Sequence, residues 1–263
     1  MILAWALPVL VLACIGQGDP SETSRAELER HLRAGEEAAV IDWFKAHPDA
    51  GLPFFDHYLE GGLKLIERGS DRASADASFE MGLKFAALAD RALGEMSFSE
   101  YARAFAGWDA AQQKQFRAGQ RLFREGMQAL KTDAARALGL CQQSLDQSKP
   151  LGDYWGTAMA QSGIGAARLA QKEYEPAKAA FTEAARLYER LHLRQDRAET
   201  FIELAKAQIG LGDESGARDT LQAAQRLLTT GDPPALRENI DKLLNGLPRA
   251  SSATQPAPAA PKP

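Results

Sequence analysis

The sequence predicts an all-α protein in which antiparallel helix pairs stack into a solenoid. Three observations support this prediction. Helix-forming residues dominate the 263-residue chain, and no run of alternating β-branched residues bounded by turns indicates a strand. One pattern of small and aromatic residues also returns about every forty positions. A period of this length is typical of helical repeat proteins, whose single units cannot bury their apolar faces alone.

The repeating pattern is clearest in EYEPAKAAFTEAARLYERL, which runs from Glu173 to Leu191. Its small residues suit a close crossing of two antiparallel helices, and the aromatic residue four positions after the first alanine would fill the space toward the next helix. An earlier segment, DAARALGLCQQSLDQ, carries the pattern with Ala137, Cys141 and Ser144. The packing residues of the two clearest units are predicted to be Gly165, Ala177, Phe181 and Ala184 in the first, and Ala205, Ala217, Leu221 and Ala224 in the second.

Helices that do not fit this pattern are predicted in the first third of the chain. A capping box of Ser24 and Glu27 is predicted to begin the first helix, because its side chains accept hydrogen bonds from the backbone amides that lack a partner within the helix. Gly35 separates this helix from a second, which ends near Pro48, since a proline ring disfavours helical backbone in the residue before it. A third helix follows, and a fourth ends at Gly94. The third helix carries an aromatic patch of Phe54, Phe55 and Tyr58.

The second part of the chain is predicted to begin with another capping box, Ser97 and Glu100, which opens a long helical stretch through Trp108. The repeating units follow. A final helix has Asp232 as its N-cap and two prolines in its first turn, where proline costs least. Gly246 ends this helix, which we expect to cover the exposed end of the solenoid.

The chain is therefore interpreted as five segments. The last of them is rich in proline and alanine, and it cannot bury enough apolar surface to fold. The region before the array holds either degenerate repeats or a separate capping bundle. The segments are a signal peptide at 1–13, a flexible tether at 14–24, an N-terminal helical region at 25–96, the array with its capping helix at 97–246, and a tail at 247–263.

The repeating residues resemble the tetratricopeptide repeat (TPR), in its longer variety of roughly forty residues per unit. The family's small and aromatic positions match those given above, although Gln161 and Phe201 stand where the family has tryptophan. The resemblance implies a right-handed superhelix of antiparallel helix pairs. It also implies that the first helix of each pair lines a concave groove, which binds a partner peptide.

The groove positions that the resemblance implies form a mixed surface. The family's clamp for a peptide C-terminal carboxylate requires several Lys, Arg and Asn residues, but only Lys206 is present. An amphipathic or extended segment fits better, with Glu199 and Lys206 as a polar rim and Ile202 and Ile209 as an apolar floor. The alternative is that these residues only pack the superhelix. The full set is Met159, Ser162, Ala166 and Leu169 in one unit, and Glu199, Ile202, Lys206 and Ile209 in the next.

The first 18 residues, MILAWALPVLVLACIGQG, are apolar up to Ile15 and carry no charge. The run is short and is interrupted by Pro8, so it indicates a secretory signal better than a spanning helix. Its segment LVLAC resembles a bacterial lipoprotein box, which implies that Cys14 receives a lipid and becomes the mature N-terminus. An ordinary signal peptide with an incidental Cys14 is the alternative. We expect a membrane-anchored envelope lipoprotein facing the periplasm, or otherwise a periplasmic or secreted protein.

The composition argues against several classes of function. Acidic residues exceed basic ones by 35 to 31 without a block of Lys or Arg, so nucleic acid is not an expected partner. The four histidines are scattered and show no metal-binding spacing. Cys141 occupies a core position, where a free cysteine is usually a small apolar residue. No metal, cofactor or small-molecule substrate is therefore expected, and the protein is not expected to be an enzyme.

These observations favour a non-enzymatic scaffold or adaptor of the bacterial cell envelope that binds a protein or peptide partner and is attached to the membrane through a lipid. Two alternatives remain. The chain is a soluble cytoplasmic adaptor, or it is an envelope hydrolase with a site in the N-terminal helices. The hydrolase requires a cleft with a buried carboxylate of strongly perturbed pKa. Its candidate residues are Asp42, Asp56, His57 and Glu60.

Overall fold

The computed structural model of the chain describes residues 22–94 and 97–248, which contain twelve α-helices and no β-strand. The prediction of an all-α solenoid is confirmed, because the helices pack in consecutive adjacent pairs. The signal peptide, Cys14 and the Pro/Ala-rich end of the tail lie outside the described residues. The helices are α1 Glu22–Arg33, α2 Glu37–Ala46, α3 Gly51–Glu67, α4 Arg72–Leu93, α5 Ser97–Ala106, α6 Ala110–Ala129, α7 Ala134–Ser148, α8 Tyr154–Ala170, α9 Tyr174–Arg190, α10 Arg194–Gly210, α11 Glu214–Leu227 and α12 Pro234–Gly246.

Helices α6 to α11 form three consecutive pairs, and α12 closes the array at its C-terminal end. Each helix packs on the helix before it and the helix after it. The first helices of successive pairs also contact one another, α6 with α8, α8 with α10, and α10 with α12. They therefore line one side of the array, which we call the inner face. Helices α7, α9 and α11 alternate with them and form the outer layer.

The turns between helices α7 and α11 share one backbone conformation, which returns every twenty residues. Gly152, Lys172, His192 and Gly212 have φ values of 68°, 62°, 53° and 77°. The amide of the following residue donates in each case to the carbonyl five positions earlier, as in a Schellman helix end. Helices consequently begin at residues 154, 174, 194 and 214. The forty-residue period thus consists of two helices and two turns of one kind.

The small residues of the repeats permit close helix crossings between α8 and α9 and between α6 and α7. A Cβ atom on Gly165 would lie 2.7 Å from the ring of Phe181, and one on Gly126 would lie 2.8 Å from Cys141 Sγ. Helices can approach this closely only where the side chain is missing. The other packing residues are fully buried, namely Ala177, Phe181, Ala184, Ala205, Ala217, Leu221 and Ala224.

Helices α1 to α5 surround an aromatic core that continues into the array without a break. Phe54 and Phe55 are fully buried in it, and the hydroxyl of the half-buried Tyr58 donates to Glu29. The aromatic patch predicted on the third helix is therefore part of the core, because α4 and α5 pack against α3. The same core includes array residues Phe116, Leu151, Ala158, Leu187 and Leu191.

Three expected helix caps differ from those in the structure. Ser24 lies inside α1, which begins at Glu22, so the last residues assigned to the tether are helical. The first amides of α5 donate to the buried carboxylate of Asp90 in α4, at 3.0 and 2.9 Å, whereas Ser97 Oγ donates to the carbonyl oxygen of Arg190. Asp232 precedes the N-cap of α12, which is Pro233. Tertiary contacts use these polar side chains instead.

The long helix expected through Trp108 is two helices, α5 and α6. The chain turns at Gly107, and Asp109 caps α6 in a capping box with Gln112. The indole nitrogen of Trp108 donates to the carbonyl oxygen of Leu151 at 3.1 Å. The break therefore places an aromatic side chain between α6 and the turn before α8.

Candidate partner-binding surface

The N-terminal helices dock onto the array through ion pairs as well as the shared core. Arg117 of α6 lies 2.9 Å from Glu60 and 2.6 Å from Glu67, both on α3. Near the turn before α10, Arg190 pairs with Glu100 at 2.6 Å. Arg194 is also tied to the N-terminal part, because its guanidinium lies 2.7 Å from Asp49 in the short 3-10 helix before α3.

Helix α3 contacts the inner face at the first unit of the array through polar side chains. Gly126 of this unit matches Gly165 of the next, so Gln120 matches the groove position Met159. The side-chain amide of Gln120 donates to Glu60 of α3 at 3.2 Å. The inner face of the first unit therefore contacts a helix of the same chain, whereas the inner faces of α8 and α10 show no such contact among the described residues.

The predicted groove residues of α8 are all partly exposed, whereas those of α10 include one buried residue. Glu199, Lys206 and Ile209 are partly exposed, as are all four positions on α8. Ile202 is only 3% exposed and belongs to the core cluster shared by α10, α11 and α12. The assignment of Ile202 to an accessible groove floor was wrong, because the capping helix packs against α10.

Carboxylates dominate the polar part of the inner face on α10. Asp196, Glu199 and Glu203 follow one another at spacings of three and four, which places them on one side of the helix. Burial, with the charge of Glu199, raises the pKa of Asp196 to about 7. Burial also raises the pKa of Glu199, and the charges of Glu203 and Asp232 add to that effect. Lys206, the other residue of the predicted polar rim, pairs with Glu203 at 2.5 Å.

A second group of carboxylates lies where α3 meets the array. It consists of Asp56, Glu60 and Asp153, and the hydroxyl of Tyr101 donates to Asp56 Oδ1 across 3.5 Å. Burial, followed by the charges of Glu60 and Asp153, raises the pKa of Asp56 to about 8. Burial likewise raises the pKa of Asp153 to about 7, although the amide of Gly156 donates to this carboxylate.

The structure brings together only two of the four residues considered for a hydrolase. Asp56 and Glu60 belong to the carboxylate group on α3, whereas His57 is exposed and Asp42 pairs with Lys45 on α2. In the described part of the chain, no group of three or more His, Cys, Asp or Glu side chains is arranged to hold a metal ion. A strongly shifted carboxylate is thus present at Asp56 beside Glu60, but His57 and Asp42 are not part of this group.

Sequence reasoning missed Arg117, Tyr101 and Asp153, which shape this region. Asp153 has a local signal, because an aspartate just before a helix often caps it, and its Oδ1 accepts from Gly156 at 2.8 Å. Arg117 and Tyr101 meet their partners across 45 to 57 positions of the chain. Contacts over such separations leave no pattern in a single sequence.

Cys141, expected in the core, is fully buried, and burial raises the pKa of its thiol to about 12.

Within residues 22–94 and 97–248, no helix has both the length and the apolar composition needed to cross a membrane. No protein-family model, curated protein or solved structure matches this chain.

Proposed function

We propose that this chain is a non-enzymatic interaction scaffold of the bacterial cell envelope, built from TPR-like repeats and attached to the membrane through a lipid on Cys14. The observation that carries the proposal is the inner face of α8 and α10. Its apolar side chains are partly exposed beside the carboxylates of Asp196, Glu199 and Glu203. Lys206 pairs with Glu203 next to them. A partner segment with basic and apolar residues would complement this surface in both respects.

The contacts of α3 support this kind of binding. At the first unit, the inner face holds a helix of the same chain through Glu60 and Gln120. A partner helix would lie beside α3 and continue along the same face, using Met159, Ala166 and Ile209 as apolar contacts. Binding of an amphipathic helix in a groove is a common mode of peptide recognition.

The inner face can be tested by photo-crosslinking in envelope membranes. A photoreactive residue at Ser162 should capture a partner, and Glu199→Lys should reduce that capture about tenfold, because a like charge is placed opposite a basic segment. Glu175→Lys is the matched control, since Glu175 is exposed on α9 of the outer layer and its reversal should leave capture unchanged. Equal capture by both variants would show that the partner does not use the inner face.

The membrane anchor is tested separately with Cys14→Ser. The proposal expects the variant to leave the membrane fraction or to accumulate as an uncleaved precursor, because the acceptor thiol for the lipid is lost. Fractionation and intact-mass spectrometry of the mature protein measure both outcomes. If mature mass and membrane association are unchanged, Cys14 carries no lipid. A soluble cytoplasmic adaptor would show the full-length mass and no membrane association even for the unmodified sequence.

A further inference from the structure

A groove of about 320 Å³ lies between α7 and α9, with α8 as its floor. Leu145, Ile164 and Ala180 form its apolar part, and each of them is at most 9% exposed. The groove is open to solvent along the two outer helices. It includes none of the eight predicted inner-face positions and none of the carboxylates that hold α3 on the array.

Arg168 lines one part of this groove and has no partner within the described residues. Its Nε atom is buried and donates to no acceptor of the described residues, and its guanidinium takes part in no ion pair found in residues 22–94 and 97–248. A buried donor without an acceptor is costly. An anionic group in the groove would give the Arg168 guanidinium a partner, and guanidinium groups bind carboxylates with two parallel hydrogen bonds.

The other charged side chain of the groove is already compensated. Glu183 accepts two hydrogen bonds from Arg186, at 2.9 and 2.6 Å. These bonds lower the pKa of Glu183, and the charge of Lys149 contributes in the same direction. The carboxylate of Glu183 therefore does not neutralise Arg168, and the groove keeps a net attraction for anions.

The next unit of the array has different residues at two positions that line the groove, 161 and 168. Forty residues later, Phe201 replaces Gln161 and Gln208 replaces Arg168. Phe201 packs against the two core clusters beside it, and Gln208 is uncharged and 8% exposed. The unit built on α10 thus has a bulky ring and a neutral amide where the unit built on α8 has a smaller side chain and a cation.

We propose that the groove between α7 and α9 binds an extended segment of a partner protein, which places an acidic side chain on Arg168 and small apolar side chains against Ile164 and Ala180. Charge complementarity with Arg168 identifies the acidic residue, and a groove open to solvent between two helices can admit a peptide segment. This site goes beyond the proposed function and does not depend on it. A scaffold with both surfaces would hold a basic segment on its inner face and an acidic one on its outer layer.

Fluorescence anisotropy with two probe peptides tests this site on the full-length protein in detergent. The probes are fluorescein-labelled Ala-Leu-Glu-Ala-Leu-Ala amide and the same peptide with Gln in place of Glu. The Glu peptide should bind about tenfold more tightly, since a hydrogen bond between charged groups is lost in the Gln peptide. Arg168→Gln, which introduces the residue of the next unit, should reduce the affinity for the Glu peptide to that for the Gln peptide.

Two further variants separate binding from folding. Gln161→Phe, again the residue of the next unit, should abolish binding of both peptides by filling the groove. Lys178→Gln removes a positive charge from α9 outside the groove and should change neither affinity. All variants should keep the melting temperature of the unmodified protein. The proposal is overturned if neither peptide binds, if both bind equally, or if Arg168→Gln and Lys178→Gln weaken binding to the same extent.

Discussion

The N-terminal bundle and the repeat array are both helical, but they are held together by different means. In the array, small residues such as Gly165 and Ala205 let neighbouring helices approach closely, and one turn conformation returns every twenty residues. In the bundle, large aromatic side chains fill much of the space between helices of unequal length, although Gly62 and Gly82 permit a similarly close crossing of α3 and α4. The packing of the array follows from a repeated unit, whereas the bundle packs its aromatic side chains without one.

The junction between these two regions also differs from either interior. Its core is apolar, yet Asp56, Glu60 and Asp153 approach one another there, and Arg117 balances only part of their charge. Inside the array, the residues at the crossings are Ala, Gly, Leu and Phe. The array is therefore expected to respond to changes of side-chain volume, and the junction to changes of pH.

The largest effect is expected at a helix crossing of the array. Gly165→Val should lower the free energy of unfolding by about 3 kcal/mol, because even its Cβ would meet the ring of Phe181 at 2.7 Å. Gly139→Ala is the matched control on α7, where a Cβ atom would meet nothing within 4 Å. This control should stabilise the protein by about 0.5–1 kcal/mol through better helix propensity. Urea denaturation measures both, and equal losses would contradict the close crossing.

A smaller effect, dependent on pH, is expected at the junction. The folded-state pKa of Asp56 is raised from 3.8 to about 8, so the folded chain keeps a proton that the unfolded chain releases between about pH 4 and 8. Stability should therefore fall as the pH rises through this range. Asp56→Asn should leave the free energy of unfolding nearly unchanged at pH 4 and raise it at pH 9, because the amide stays neutral without taking up a proton.

The same variant separates the structural role of Asp56 from the hydrolase alternative. Asp42→Asn, on the exposed surface of α2, is the control and should change stability little at either pH. If Asp56 is a catalytic acid, the unmodified protein should release soluble fragments from purified cell-wall material, and Asp56→Asn should abolish that release. Activity lost in Asp56→Asn but kept in Asp42→Asn would refute the non-enzymatic scaffold.

The smallest effect is expected at the repeated turn. Lys172 adopts φ 62° in the turn that Gly212 forms at 77° forty residues later. Residues with a Cβ atom are strained in this region, and glycine is not. Lys172→Gly should therefore raise the free energy of unfolding by about 0.5 kcal/mol, while Gly212→Lys should lower it by about 1 kcal/mol. Opposite signs in thermal denaturation would confirm that the two turns are equivalent.

The sequence by itself determined the repeating part of this protein. Small residues at Gly165 and Ala177, with Phe181 between α8 and its neighbours, predicted the helix pairs and their crossings, because each contact joins residues within about one repeat length. The ends of helices marked by Gly94 and Gly246 were also predictable, since glycine adopts or permits the backbone that stops a helix.

The tertiary structure alone decided how the two regions meet. Asp232 and Ser97 were expected to cap helices, but distant partners use them: Asp232 pairs with Arg194, and Ser97 donates to the carbonyl oxygen of Arg190. Likewise, the position of Ile202 on α10 predicted a groove residue, but its side chain is part of the core that α10 shares with α11 and α12. The chemistry of a side chain limits the kind of partner it can contact. Which residue becomes that partner depends on how the whole chain folds.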